Sequence, residues 1–128
     1  MPPRNWLIRI EDMLGAAQKI TDYTSGIADI ESFASDDRTV DAVLRNIQII
    51  GEAARYVPDD VRARYSHVAW DAIRGMRNIL VHNYADIDLE VVWGVIRTRI
   101  PVLMPQLREV LAAESRRNAD EQGSPDAT

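Results

Sequence analysis

The sequence predicts an all-α protein, folded as an antiparallel bundle of four to five helices. Apolar residues recur at intervals of three and four along most of the chain, and no strand-like alternation lasts more than a few residues. The 128 residues suffice for one domain with a single hydrophobic core. We assign the helical domain to residues 1–113 and expect a disordered tail over 114–128, where apolar periodicity is absent.

Each main predicted helix carries one apolar stripe of the kind that faces a bundle core. The second helix has Ser35 as its candidate N-cap and ends before Pro58. The last contains Pro101 and Pro105, which lack a backbone N–H, so we expect a kink between Arg97 and Pro101 rather than a new helix. The predicted helical ranges are 5–24, 36–57, 59–65, 69–81 and 88–111.

A second strip of side chains lies on the far side of the helix predicted over 36–57. It contains Arg45, Ile49, Glu52 and Tyr56, which align at about 100° per residue. An isolated bundle would leave this strip in water, so Ile49 and Tyr56 suggest a second packing surface, for which pairing of two identical chains is a natural use. Single exposed apolar residues are also common on protein surfaces, and the strip alone leaves both interpretations open.

Composition excludes several classes of protein. The chain has no cysteine, which excludes a disulfide scaffold, a thiolate zinc site and a cysteine nucleophile. No apolar run approaches the roughly 18 residues of a membrane span, and the first residues lack the apolar core of a signal peptide. We therefore expect a cytoplasmic protein without a membrane partner.

The net charge of −5 disfavours binding of nucleic acid through non-specific phosphate contacts. One strip differs, because four arginines occur between residues 62 and 84 with a single acid, Asp71. Such a strip can attract a phosphate even in an acidic protein, and we take Arg74 as its RNA-binding candidate. The base composition of the genome is an alternative explanation for the number of arginines. The four are Arg62, Arg64, Arg74 and Arg77.

The segment 70–84, WDAIRGMRNILVHNY, contains the residues best suited to chemistry. Arg77 falls within an apolar arc, and the simplest explanation is an arginine that pairs with a carboxylate such as Glu52. His82 is about 140° from Arg77 on a straight helix, whereas Asn78 lies on the same face as His82. Arg77 and His82 can therefore converge only if the helix ends or bends near His82, or if a second subunit supplies part of the site.

These side chains form a minimal set for RNA cleavage without a metal. His82 can move a proton near neutral pH, Arg77 can stabilise charge on a phosphoryl group, and Tyr84 can stack on a base. The ribose 2′-hydroxyl would attack its own phosphate, so no external nucleophile is needed. A structural histidine at a helix end is the commoner explanation of His82 alone. The two histidines lack metal-ligand spacing and there is no Gly-rich phosphate loop, so we expect neither a metal nor a cofactor.

Residues 77–84, RNILVHNY, resemble the signature of the HepT-like toxins, which are ribonucleases of the HEPN superfamily. That signature is an arginine, four residues, a histidine, one residue and a tyrosine. Further runs resemble the family in order and spacing, so that the resemblance covers residues 5–111. These runs lie at residues 45–46, 50–53, 70, 75–78, 88–89 and 92–93.

The resemblance implies a homodimeric all-α bundle in which Arg77 and His82 cleave RNA without a metal and Asn78 supports them. It also implies that Tyr84 is the regulatory residue, which a nucleotidyltransferase antitoxin modifies with AMP. This chain lacks the Gly-Ser and paired-Asp motif of such a transferase, so the modification needs a partner. An AMP on Tyr84 would occupy the place of the RNA phosphate beside Arg77. The strip that contains Glu52 would then be the pairing surface, and we infer that Glu52 positions Arg77.

The sequence thus predicts a cytoplasmic, metal-independent endoribonuclease toxin whose partners are its RNA substrate, a nucleotidyltransferase antitoxin and a second copy of itself. The alternative from a different class is a non-catalytic helical module that binds a nucleotide or the transferase. The acidic net charge favours this alternative. Growth arrest on expression of the chain alone, relieved by His82→Ala, would distinguish the toxin from the binding module.

Overall fold

The computed structural model of the chain describes residues 5–80 and 87–123, and within them it contains helices and no strand. The prediction of an all-α protein is therefore confirmed. The elements are, in order, α1 Asn5–Thr24, α2 Ile30–Ala34, α3 Asp37–Ala54, α4 Asp59–Arg64, α5 Trp70–Gly75, a 3₁₀ segment Met76–Leu80, α6 Leu89–Gly94, a π-helical turn Val95–Arg99 and α7 Ile100–Gly123.

The core lies between the three longest helices. Helix α1 packs along α3 and α7, and α3 also packs against α5 and the 3₁₀ segment. The apolar stripes predicted from the spacing supply the innermost side chains, as expected for helices that bury one face. Fully buried members include Ile10, Met13, Ile20, Val43, Ile47, Ile50, Ile100 and Leu107.

Helix α3 begins one residue later than predicted, and its N-cap is Asp36 rather than Ser35. The Asp36 carboxylate accepts hydrogen bonds from the backbone N–H of Thr39 at 3.2 Å and from its hydroxyl at 2.7 Å. Ser35 instead is the C-cap of α2, where its hydroxyl donates to the carbonyl of Ser32 at 3.1 Å. The prediction of Ser35 was wrong because it did not include α2, a helix of five residues too short to show periodicity.

The helix predicted over 69–81 changes geometry before its end. It is α-helical over Trp70–Gly75 and continues as a 3₁₀ helix over Met76–Leu80. A 3₁₀ helix has about three residues per turn, so the angle of about 140° expected on a regular α-helix does not apply from Met76 onwards. The regular-helix prediction was therefore wrong for the segment that contains Arg77.

The last predicted helix continues past Pro101, as expected, but its irregularity is a π-helical turn over Val95–Arg99, which ends two residues before that proline. Pro101 has no N–H, and its ring would clash with the carbonyl four residues earlier in a regular helix. The wider π turn is a known response to such a conflict. The hydroxyl of Thr98 donates to the carbonyl of Gly94 at 2.6 Å within this turn.

The C-terminal boundary needs a correction, because α7 continues to Gly123 and residues 114–123 are helical rather than disordered. Glu114, the first residue of the predicted tail, is only 4% exposed. Its carboxylate accepts hydrogen bonds from the Arg64 guanidinium at 2.8 Å and the Tyr65 hydroxyl at 2.5 Å. Polar contacts therefore hold this part of α7, and an apolar pattern cannot reveal them. Residues 124–128 of the predicted tail lie outside the described residues.

The strip that was predicted as a pairing surface lies on α3 except for Tyr56, which follows the end of that helix, and it is partly covered within the chain. The Arg9 guanidinium of α1 lies 4.1 Å from the centre of the Tyr56 ring, a cation–π contact. Ile49 is half-buried and packs against the core, whereas Arg45 and Glu52 are exposed. None of the helices in the described part of the chain is long and apolar enough to span a membrane.

Candidate active site

The segment that contains Arg77 is anchored by the residues before it. The Trp70 indole donates to the carbonyl of Tyr65 at 3.0 Å, which ties the start of α5 to the end of α4. Trp70, Ile73 and Met76 are each at most 5% exposed. These buried side chains pack α5 and the start of the 3₁₀ segment against the core. The backbone that leads to Arg77 is therefore held in a fixed position.

Arg77 is half-buried on the 3₁₀ segment, beside Gly51 of α3. The two are so close that a Cβ atom built on Gly51 would lie 2.7 Å from Cγ of Arg77 and 3.1 Å from its backbone N. The absence of a side chain at Gly51 therefore lets Arg77 approach the backbone of α3. Among the described residues, no carboxylate forms an ion pair with the Arg77 guanidinium.

Glu52, the predicted partner of Arg77, makes a different contact. Its carboxylate accepts a hydrogen bond from the side-chain amide of Gln48 at 3.3 Å, along the exposed face of α3. No ion pair joins Glu52 to Arg77 within the described part of one chain. Close packing against Gly51, rather than a charge on Glu52, therefore locates Arg77 in the single chain.

The four arginines of the predicted strip differ in whether they form an ion pair. Arg62 lies 2.6 Å from Asp59 and 3.9 Å from Asp71, and Arg64 lies 2.8 Å from Glu114. Arg74 is exposed near the end of α5 and, like Arg77, makes no ion pair with the described residues. Among these four arginines, the two without an ion pair to the described residues lie on the last turn of α5 and on the 3₁₀ segment.

The remaining predicted site residues are only partly covered by the structure. Asn78 follows Arg77 on the 3₁₀ segment, and it is exposed. His82 and Tyr84 lie outside the described residues. The structure therefore brings Arg74, Arg77 and Asn78 to one short stretch, and the convergence of Arg77 with His82 remains a prediction.

Gly51 is the site residue that the sequence analysis did not identify as such. It lies within the run that resembles the family, but it was given no role of its own. A glycine inside a helix costs about 1 kcal/mol relative to alanine, so its presence in the middle of α3 was a signal for a packing or functional reason. Only the structure shows that Arg77 is the neighbour that requires it.

The arrangement has the chemistry to bind an anion. Two cationic side chains and an amide occur within residues 74–78, and such groups bind phosphate oxygens through charge-assisted hydrogen bonds. In residues 5–80 and 87–123 there is no group of three or more histidine, aspartate or glutamate side chains that could hold a metal ion.

Comparison with known proteins decides the family. The model of the family described as "Ribonuclease HepT-like" matches residues 13–110, which is most of the chain. The chain belongs to the HepT-like ribonuclease family. The expectation of an RNase is thereby confirmed at the level of the family, and residues 77–84 lie within a match that begins in α1 and ends in α7.

Relatives of this HepT-like chain carry matching names. A protein of Thermococcus cleftensis named "Probable ribonuclease HepT" is 34% identical over 73% of this chain and 84% of its own length. A protein of Caldanaerobacter subterraneus named as a "Putative RNase" is 34% identical over 88% of this chain and 96% of its own length. Another "Putative RNase", from Methanocaldococcus jannaschii, is 28% identical over 87% of this chain and 91% of its own length. No solved structure matches the chain significantly.

Proposed function

We propose that this HepT-like protein is a metal-independent endoribonuclease and the toxin of a toxin–antitoxin pair. One observation carries the proposal. Arg77, the first residue of the motif, is half-buried and is held by packing, yet it makes no ion pair with the described residues. The N–H groups of such a guanidinium are available to donate hydrogen bonds to the oxygens of a phosphate. Arg62 and Arg64 on α4, in contrast, already form ion pairs with carboxylates.

The reaction is an internal displacement on RNA. The ribose 2′-hydroxyl attacks the adjacent phosphorus and gives its proton to His82, while the bond from phosphorus to the 5′-oxygen breaks. The departing oxygen takes up a proton, and the products are a 2′,3′-cyclic phosphate and a 5′-hydroxyl end. Arg77 stabilises the charge on the non-bridging oxygens, and the amide of Asn78 supports it. Arg74 binds a neighbouring phosphate of the strand.

The geometry of this displacement favours a site shared by two chains. The attacking and departing oxygens lie on opposite sides of phosphorus, so one imidazole does not reach both protons. A homodimer offers a second His82, and isologous pairing is the commonest form of oligomer. The homodimer therefore supplies both the base and the acid of the reaction.

Control of the toxin is assigned to Tyr84. A nucleotidyltransferase antitoxin transfers AMP from ATP to the Tyr84 oxygen and releases pyrophosphate. The new phosphodiester is an anion beside Arg77, so it competes with the RNA phosphate for the same donors.

Cleavage of a labelled single-stranded RNA by purified, unmodified protein tests the mechanism. We expect wild-type activity to persist in EDTA and His82→Ala to abolish it. His67→Ala is the matched control, because His67 is the other histidine of the sequence and its imidazole lies 3.5 Å from the exposed carboxylate of Glu109. Loss of activity in EDTA, or cleavage by His82→Ala at the normal rate, would overturn the mechanism.

Intact-protein mass after incubation with ATP and a nucleotidyltransferase antitoxin of this kind tests the control step. We expect one added AMP and loss of RNase activity, and no addition on Tyr84→Phe. Tyr23→Phe, at an exposed tyrosine of α1, should be modified as the wild type is. An AMP on Tyr84→Phe would remove Tyr84 from this role.

Mixing the wild type with an excess of His82→Ala protein tests the shared site. A mixed dimer keeps only one His82, so it lacks either the base or the acid, and the activity is expected to fall below that of the same amount of wild type alone when the subunits exchange. Exchange is monitored separately by light scattering and fluorescence transfer. Subunit exchange without any loss of activity, or a monomeric wild type, would contradict the shared site.

A further inference from the structure

The close approach between α3 and the 3₁₀ segment is made at Gly51. A Cβ atom there would lie 2.7 Å from Cγ, 3.1 Å from the backbone N and 3.5 Å from Cβ of Arg77. All three atoms belong to the root of Arg77, so a change of rotamer at the far end of the side chain does not relieve the contact. A side chain at position 51 would therefore have to displace the Arg77 backbone.

Displacement of that backbone is resisted from the other side. Met76, which directly precedes Arg77, is 3% exposed, and Ile73 is 3% exposed one turn earlier. Both side chains are packed in the core, where interiors are dense and repacking is costly. Arg77 is thus held between the backbone of α3 and its own buried neighbours. Two other helix glycines, Gly15 and Gly94, have no atom within 4 Å of the corresponding Cβ position.

We propose that Gly51 is the positioning residue for Arg77, and that it sets the distance of the guanidinium from the reacting phosphate. The inference rests on the proposed function, because it gives Arg77 the catalytic role. Gly51 itself touches no substrate and acts only through the arginine. Groups that stabilise a transition state must be held within about 0.5 Å, and a misplacement of about 1 Å can cost a hundredfold in rate.

Gly51→Ala is the first test. We expect its kcat for RNA cleavage to fall by about tenfold or more, with a smaller change in KM, since Arg77 acts mainly on the transition state. Gly15→Ala and Gly94→Ala are the matched controls, because each places the same methyl group in open space on a helix. They are expected to keep wild-type kcat and wild-type helicity by circular dichroism.

A double-mutant cycle with Arg77→Ala separates positioning from a general structural effect. If Gly51 acts only through Arg77, the double variant cleaves RNA no more slowly than Arg77→Ala alone. The loss of thermal stability caused by Gly51→Ala should also shrink in the Arg77→Ala background, because that change removes Cγ. If Gly51→Ala alone fails to fold, the proposal requires Arg77→Ala to restore folding.

The outcomes distinguish this inference from the function on which it rests. An active wild type with unchanged Gly51→Ala kcat, or effects of the two changes that simply add in rate and stability, overturns the role of Gly51 only. A wild type without RNase activity overturns the proposed function and the role of Gly51 in it. In that case the thermal stabilities of the double-mutant cycle still test the contact between Gly51 and Arg77.

Discussion

The arginines at positions 62, 64, 74 and 77 share one chemistry but have different neighbours. Asp59 and Asp71 hold Arg62, and Glu114 holds Arg64, so these two guanidinium groups contribute to the structure. Arg74 and Arg77 make no ion pair with the described residues. At the scale of the residue, the carboxylates nearby therefore decide which arginines remain available to a phosphate.

Arg74→Ala is expected to weaken RNA binding and leave kcat nearly unchanged. Loss of one phosphate contact should reduce the slope of log affinity against log salt by about 1, since one fewer counterion is released on binding. Fluorescence anisotropy with catalytically inactive His82→Ala protein, at several salt concentrations, measures this slope. Arg62→Ala is the matched control, because Arg62 is already paired. An equal change of slope for both variants would show that an ion pair with a carboxylate does not prevent an arginine from contacting an RNA phosphate.

At the scale of the element, helix ends and changes of helix type place the functional residues. The change from α-helix to 3₁₀ helix at Met76 alters the direction of every following side chain, including Arg77. The start of α3 determines where Gly51 lies opposite that segment, and Asp36 is the residue that fixes this start. Its side chain satisfies a backbone N–H that would otherwise lack a helical partner.

Asp36→Ala is expected to lower the thermal midpoint more than Ser35→Ala, because only Asp36 caps α3. Hydrogen bonds from Thr39 lower the pKa of Asp36 below its ordinary 3.8. A lowered pKa means that the contribution of this cap is present above about pH 4 and is lost as the pH falls through the folded-state value. Thermal melts between pH 2 and pH 6 should therefore show less acid sensitivity in Asp36→Ala than in Ser35→Ala. A larger loss of thermal midpoint in Ser35→Ala than in Asp36→Ala would show that Ser35, and not Asp36, caps α3.

At the scale of the whole molecule, Glu114 joins the end of the chain to its middle. Its buried carboxylate meets Arg64, Tyr65 and Arg117, the last at 3.6 Å. Burial raises the pKa of the Tyr65 hydroxyl, and its hydrogen bond to Glu114 raises it further, so the phenol stays a donor. Burial alone would lower the pKa of Arg64, but its hydrogen bond to Glu114 and the charge of that group raise it above its ordinary value. The carbonyl of Tyr65 in turn holds Trp70, and so α7 supports the segment that leads to Arg77.

Glu114→Ala is expected to reduce the free energy of unfolding by about 2 kcal/mol, since it leaves Arg64 and Tyr65 without their acceptor. The effect stays below that of a fully buried pair because the Arg64 side chain is 29% exposed and can regain water. Urea unfolding followed by circular dichroism measures it. Glu121→Ala, which removes an exposed partner of Arg117, should change stability by less than about 0.5 kcal/mol. Equal effects of the two changes would contradict a structural role for Glu114.

Periodicity predicted most of the fold, because an apolar stripe identifies a buried helix face wherever the helix is long. The stripes of α1, α3 and α7 illustrate this, and all lie in the core. The pattern missed α2, which has five residues, and it stopped at Ala113, because the contacts of α7 beyond that point are polar. Short elements and polar contacts between distant residues leave no periodic trace.

The sequence alone determined the all-α class, the family and the candidate motif, because these depend on residue types and their spacing along the chain. The tertiary structure decided which arginines are neutralised, that Glu52 contacts Gln48 rather than Arg77 within one chain, and that Gly51 provides the room in which Arg77 is placed. These outcomes depend on distances between groups far apart in sequence, and only packing of the helices against one another sets those distances.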